Sequence, residues 1–180
     1  MNPSSNLFLI GPMGAGKTTL GRRIAAHFRL AFVDMDVELE RRTGVSVNLI
    51  FEVEGEPGFR QRESQLLAET AANVAQVIAT GGGVVLAARN RAILSERGFV
   101  LYLPASVDAQ LARLARDTRR PLLRAPDRLE RLNAVAALRN PLYESTADLI
   151  LTPQSGSVSR AADRAIHALE QTWQRPARAA

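Results

Sequence analysis

The chain has 180 residues, enough for one compact domain with a sizeable buried core, and its 46% hydrophobic and 23% charged content is ordinary for a soluble globular protein. It contains no cysteine, which excludes disulfides, thiolate metal sites and cysteine nucleophiles. The formal net charge of +5 invites a nucleic-acid reading, but residues 113–139 alone hold eight arginines against Asp117, Asp127 and Glu130, while fifteen basic residues meet fifteen acidic ones elsewhere. Charge gathered in this way points to a local anion site, or to a solvated arginine-rich helix face, rather than to a basic coat.

In chain order, Leu7-Phe8-Leu9-Ile10 is a short apolar run ended by Gly11 and reads as a buried strand. Leu20, Ile24, Ala25 and Phe28 recur at helical spacing over 17–29. Ala31-Phe32-Val33, closed by Asp34, is a second strand, and 36–73 reads as several helices broken near Gly44, Gly55 and Pro57. Val77-Ile78-Ala79 runs into the glycine turn Gly81-Gly82-Gly83 as a third strand. Phe99-Val100-Leu101-Tyr102-Leu103 and Leu149-Ile150-Leu151 supply two more, with helical patterns between and after them. Wholly apolar strands separated by helices predict an α/β fold with a five-stranded parallel sheet covered on both faces. There is no repeat or low-complexity linker, so 1–180 is expected to be a single domain, with a frayed tail over 175–180. No stretch matches the roughly eighteen apolar residues of a membrane helix. The start, MNPSSNLFLIG, lacks a basic region followed by a long apolar run. A cytoplasmic location is expected.

Gly11-Pro12-Met13-Gly14-Ala15-Gly16-Lys17-Thr18 fits GxxxxGK[ST] between an apolar strand and an amphipathic helix, the context in which that pattern binds nucleotide phosphates. Its glycines let backbone N–H groups approach phosphate oxygens, and the following helix directs its partial positive end at the same anion. Lys17 is the only lysine among 23 basic residues. In such a loop it reaches the β- and γ-phosphates of a bound nucleotide, while the Thr18 hydroxyl ligates Mg²⁺. Asp34 and Asp36 follow the second strand, at the edge where open α/β sheets hold ligands. Asp34 reads equally as a helix cap or as support for a metal. Arg60 lies three residues before Glu63, which can brace it from one helical turn away.

Beyond the phosphate loop, DMD at 34–36, FRQRE at 59–63, TGGG at 80–83, RRPLL at 119–123 and RNPLY at 139–143 occur in an order and spacing that resemble the shikimate kinases, over roughly residues 6–172. The resemblance implies a three-layer P-loop kinase fold, ATP as co-substrate, Mg²⁺ as cofactor and shikimate as acceptor, with no nucleic-acid or membrane partner and a monomeric chain. It places Gly14, Ala15, Gly16, Lys17, Thr18 and Thr19 on the nucleotide phosphates. It gives Asp34 to the Mg²⁺ shell, and Asp36 to the acceptor hydroxyls as an aid to deprotonation. Arg60, Arg139 and the Gly81–Gly82–Gly83 turn resemble the acceptor-binding set, where guanidinium forks and backbone donors suit a small hydroxylated carboxylate. Arg120 resembles the arginine of a mobile lid over 112–124 that approaches the transferring phosphoryl group. Arg113 is implied at the adenine ring, with Arg116 as its competitor. The third strand carries no terminal Asp where many P-loop enzymes hold a carboxylate, an absence shared with shikimate kinases. A gluconate kinase, or a non-catalytic nucleotide- or nucleic-acid-binding protein, are the alternative readings. His27 and His167 fall away from the motifs.

Overall fold

The computed structural model describes residues 4–114, 127–152 and 157–175. Five strands, β1 (Leu7–Ile10), β2 (Ala31–Asp34), β3 (Gln76–Ala79), β4 (Phe99–Tyr102) and β5 (Leu149–Ile150), form one parallel sheet in the order β2-β3-β1-β4-β5. The helices are α1 (Lys17–Phe28), α2 (Met35–Thr43), α3 (Val47–Ala71), α4 (Ala88–Arg97), α5 (Val107–Leu114), α6 (Arg128–Thr146) and α7 (Val158–Thr172).

Strand side chains alternate between faces, so a strand buried on both must be apolar throughout. Leu7 and Leu9 join Val77, Phe99 and Leu101 beneath α1 and α7, where Leu20, Ile24 and Leu169 meet them. Phe8 and Ile10 join Ile78, Val100 and Tyr102 on the opposite face, packed against Met35, Leu67, Leu94 and Tyr143 from α2, α3, α4 and α6. The result is a sheet between two helical layers, in agreement with the expected α/β architecture. The edge strand β2 is correspondingly less buried than β1, β3 and β4.

The helical stretch after β2 breaks where the glycines predict. Gly44 caps the C-terminus of α2 at φ 72°, its N–H donating to the Glu40 carbonyl. Ser46 opens α3 by accepting from the Leu49 N–H, and the Glu40 carboxylate accepts from that of Val47. Gly55 (φ 70°, ψ −175°) divides α3 into two pieces, with Pro57 early in the second.

Of the expected frayed tail, 175–180, only Arg175 is among the described residues. The Arg175 guanidinium lies 4.5 Å from the Phe28 ring centroid and 5.4 Å from that of Trp173, an arrangement that favours a cation over aromatic faces. The remaining positions of that tail, 176–180, lie outside the described residues. His27 pairs with Glu170 at 2.9 Å across α1 and α7, and His167 contacts Gln171, so both histidines serve the scaffold. Among the described residues no helix is long and apolar enough to cross a membrane.

Candidate active site

The strand order reverses direction at β1: the chain passes to β2 and β3 on one side, and to β4 and β5 on the other. Open α/β sheets hold ligands beyond the carboxyl ends of their strands at such a point. The phosphate loop lies there, between β1 and α1. Gly16, which caps α1, has φ 95°, a conformation that costs glycine little and other residues more. The first turn of α1 carries no acidic side chain, so its unsatisfied N–H groups present their partial positive charge unopposed. Lys17 Nζ donates to the carbonyls of Gly11 at 2.7 Å and Pro12 at 2.9 Å, which folds the ammonium back over the loop. Ala15 closes a turn onto the Pro12 carbonyl, Gly14 lies against Leu114 and Gln110 of α5, and Thr19 is exposed.

The cap reading of Asp34 is met by one oxygen of its carboxylate, and the other oxygen faces the phosphate loop. Its Oδ1 accepts from the backbone N–H groups of Asp36 and Val37, capping α2. Its Oδ2 accepts from the Thr18 hydroxyl at 2.6 Å. One side chain therefore starts α2 and reaches across to the phosphate loop.

From the other side, Arg113 Nη1 donates to the Gly14 carbonyl at 2.8 Å. This puts Arg113 against the phosphate loop itself. Arg116, Arg120 and positions 115–124 of the expected lid lie outside the described residues.

A cleft of about 770 Å³ opens beside the loop, bounded by α2, α3, the glycine turn after β3, and α6. Thr18, Asp34, Asp36, Arg60, Gly81–Gly83 and Arg139 all line it, so residues spread over 120 positions of sequence converge. Phe51 and Phe59 stack with centroids 4.3 Å apart and supply an apolar wall. The Arg60 guanidinium lies 5.1 Å from the Phe59 ring and donates to Glu63 at 2.7 Å and to Glu56 at 3.0 Å. Burial works against the Arg60 charge, but Glu63 and Glu56 outweigh it and hold its pKa above the usual value.

Glu63 is only 3% exposed. Its Oε2 takes the Arg60 bond, whereas its Oε1 is buried without a hydrogen-bond partner among the described residues. Burial pushes its carboxyl up, against the opposing pull of Arg60, and the nearby Asp36 charge adds to the rise. The glycine turn is shaped around this pair: a Cβ on Gly81 would lie 2.3 Å from Glu63 Oε1, and one on Gly83 would lie 2.2 Å from Arg60 Nη2. Arg139, 9% exposed, donates from Nη1 to the Gly82 carbonyl at 3.2 Å, and its Nε is also buried without a partner. Glu63 and Arg139 thus line the cleft with charged groups whose inner atoms are shut away from solvent.

Sequence reasoning anticipated the charged residues and missed the groups that hold them. Tyr143 is fully buried and donates its hydroxyl to the Gly82 carbonyl, and Phe51 with Phe59 form the aromatic wall. The available signal for Tyr143 was its place four residues after Arg139, on the same helical face.

Asp34→Ala is expected to lower unfolding stability by about 0.5–2 kcal/mol through the lost helix cap. Asp34→Ser, which keeps a capping oxygen, should recover most of that loss. Urea denaturation of the three proteins measures both effects.

The shikimate kinase family profile matches residues 13–170. A shikimate kinase of Stenotrophomonas maltophilia is 49% identical over 175 residues, 97% of each chain. One from Xylella fastidiosa is 46% identical over 180 residues, the full length of both. The solved structure of a shikimate kinase from Acinetobacter baumannii in complex with shikimate matches with a TM-score of 0.90 at 41% identity, covering 93% of this chain and 94% of that one. Agreement of this extent means that the chain belongs to the shikimate kinase family.

Proposed function

We propose that the chain transfers the γ-phosphoryl group of ATP to the 3-hydroxyl of shikimate, a step in making aromatic amino acids. The observation that carries this reading is the convergence of a phosphate-binding loop with Asp36, Arg60, Arg139 and the Gly81–Gly83 turn in one cleft. Gly14, Ala15, Gly16, Lys17, Thr18 and Thr19 hold the nucleotide phosphates. Arg113, bonded to the loop, serves the nucleotide side.

Arg60 and Arg139 face the acceptor carboxylate with charge-assisted hydrogen bonds, and the glycine turn offers backbone donors to its hydroxyls. Asp36 orients the reacting hydroxyl and takes its proton as the new P–O bond forms and the bond to the bridging oxygen of ADP breaks. A modest base suffices, because phosphoryl transfer is governed by positioning and electrostatics more than by covalent chemistry. The oxygens of Thr18 and Asp34, 2.6 Å apart, fit the preference of Mg²⁺ for hard donors, Thr18 directly and Asp34 behind it. When bound, the ion neutralises charge on the β- and γ-phosphates.

Purified protein should release ADP in a coupled assay only when ATP, Mg²⁺ and shikimate are all present, and faster with shikimate than with quinate or gluconate. Faster turnover of gluconate would overturn the assignment. Arg60→Ala and Arg139→Ala should each raise the shikimate KM about tenfold or more, from a charge-assisted bond of roughly 1.5–3 kcal/mol, while moving the ATP KM much less. Equal weakening of both substrates would assign these arginines to the fold or to the nucleotide. The same reading has the chain acting as one domain and as a cytoplasmic monomer, since a single copy supplies every residue named. Sedimentation at the 19.6 kDa of one chain is the expected result.

A further inference from the structure

Tyr143 belongs to none of the ligand-contacting roles above, yet it holds the point at which two of them meet. Its side chain is fully buried in α6, and its hydroxyl donates to the Gly82 carbonyl. Arg139, one turn earlier on the same helix, donates to that same oxygen. The Gly82 carbonyl is thus a shared acceptor that uses both its lone pairs to bind one face of α6. In a trans peptide the next N–H points opposite to the carbonyl, so aiming the Gly82 carbonyl at α6 also sets the direction of the Gly83 N–H. Gly83 in turn lies against the Arg60 guanidinium, with no room between them for a Cβ. The position of Tyr143 is itself fixed. Its ring stacks on Tyr102 of β4 with centroids 5.0 Å apart and planes 26° from parallel. Burial pushes its pKa up to about 12, so the hydroxyl remains a donor at neutral pH.

We infer that Tyr143 is a positioning residue for the acceptor half of the cleft: through the Gly82 carbonyl it registers the glycine turn against Arg139 and, by way of Gly83, against Arg60. The inference rests on the acceptor assignment made under Proposed function. Without the hydroxyl the Gly82 carbonyl is held by Arg139 alone. That guanidinium must then choose between bracing the turn and facing the ligand. The first consequence falls on the acceptor, because the Gly82 carbonyl is shared with Arg139 and its peptide leads to Gly83 beside Arg60.

Tyr143→Phe removes one oxygen and keeps the ring and its stack. Tyr102→Phe removes the other hydroxyl of the same aromatic pair, whose oxygen lies 3.5 Å from Asn140 and does not reach the turn. In steady-state assays Tyr143→Phe should raise the shikimate KM about threefold to tenfold, with the ATP KM and kcat within twofold of the parent. Tyr102→Phe should leave all three within twofold. Shikimate titrations followed by calorimetry should give the same split in Kd, and thermal melting verifies that both variants fold. Combining Tyr143→Phe with Arg139→Lys should raise the KM by clearly less than the product of the single effects, since both act on one carbonyl. A Tyr143→Phe protein that melts earlier but keeps the parental shikimate KM would overturn the inference, as would equal KM changes in the two phenylalanine variants. A parent protein that fails to bind shikimate would instead overturn the functional assignment, so the two failures are distinguishable.

Discussion

β1 is paired on both sides and buried on both faces, and every group in the cleft is placed relative to its carboxyl end. A phosphate-binding loop needs this support. Its backbone must hold N–H groups inward with few side chains to brace them, so rigidity has to come from the strand before it and the helix after it. Gly11 leaves β1 against the Leu103 carbonyl with no space for a Cβ, and α1 packs back onto the sheet through Leu20 and Ile24. Thr18 then transmits the loop's position to β2 through Asp34, whose second oxygen starts α2. A single carboxylate thereby couples the phosphate loop to the helix that carries Asp36.

The half of the cleft around Arg60 and Arg139 solves a different problem. Buried ion pairs gain little net stability, because desolvation offsets the attraction, and their groups must be fully hydrogen-bonded to be tolerated. Here they are not. Glu63 Oε1 and Arg139 Nε are buried without partners among the described residues, while Glu63 and Gly81, and Arg60 and Gly83, are packed too closely for any side chain at the turn. A fold selected for stability alone would fill these positions with apolar groups. They are retained in residues that line the cleft, at a cost to the stability of the free protein.

Much of this was legible in the linear chain. The five strands announced themselves as apolar runs because parallel strands are buried on both faces, and the phosphate loop followed from its glycine spacing and its strand–helix setting. The pairing of Arg60 with Glu63 was readable too, since residues three apart in a helix are neighbours whatever surrounds them. The excess charge in 113–139 pointed to an anion site or to a solvated helix face. Among its described members, Arg113 bonds the phosphate loop, Arg139 lines the cleft, and Arg131 lines it too while pairing with Asp127.

The sequence by itself determined the local items: strand and helix identity, the phosphate cradle, the helix breaks at Gly44 and Gly55, and the residue types suited to a phosphate and a carboxylate. It left open whether Asp34 capped a helix, and assigned no contact to Tyr143, Phe51 or Phe59. Only the tertiary structure decided these matters. Asp34 caps α2 with one oxygen and accepts from Thr18 with the other because the sheet order brings β2 and the end of β1 to one edge. Tyr143 meets Gly82 across 61 positions of sequence. Contacts at such separations depend on how whole elements stack, through many small packing terms that no short stretch of chain contains.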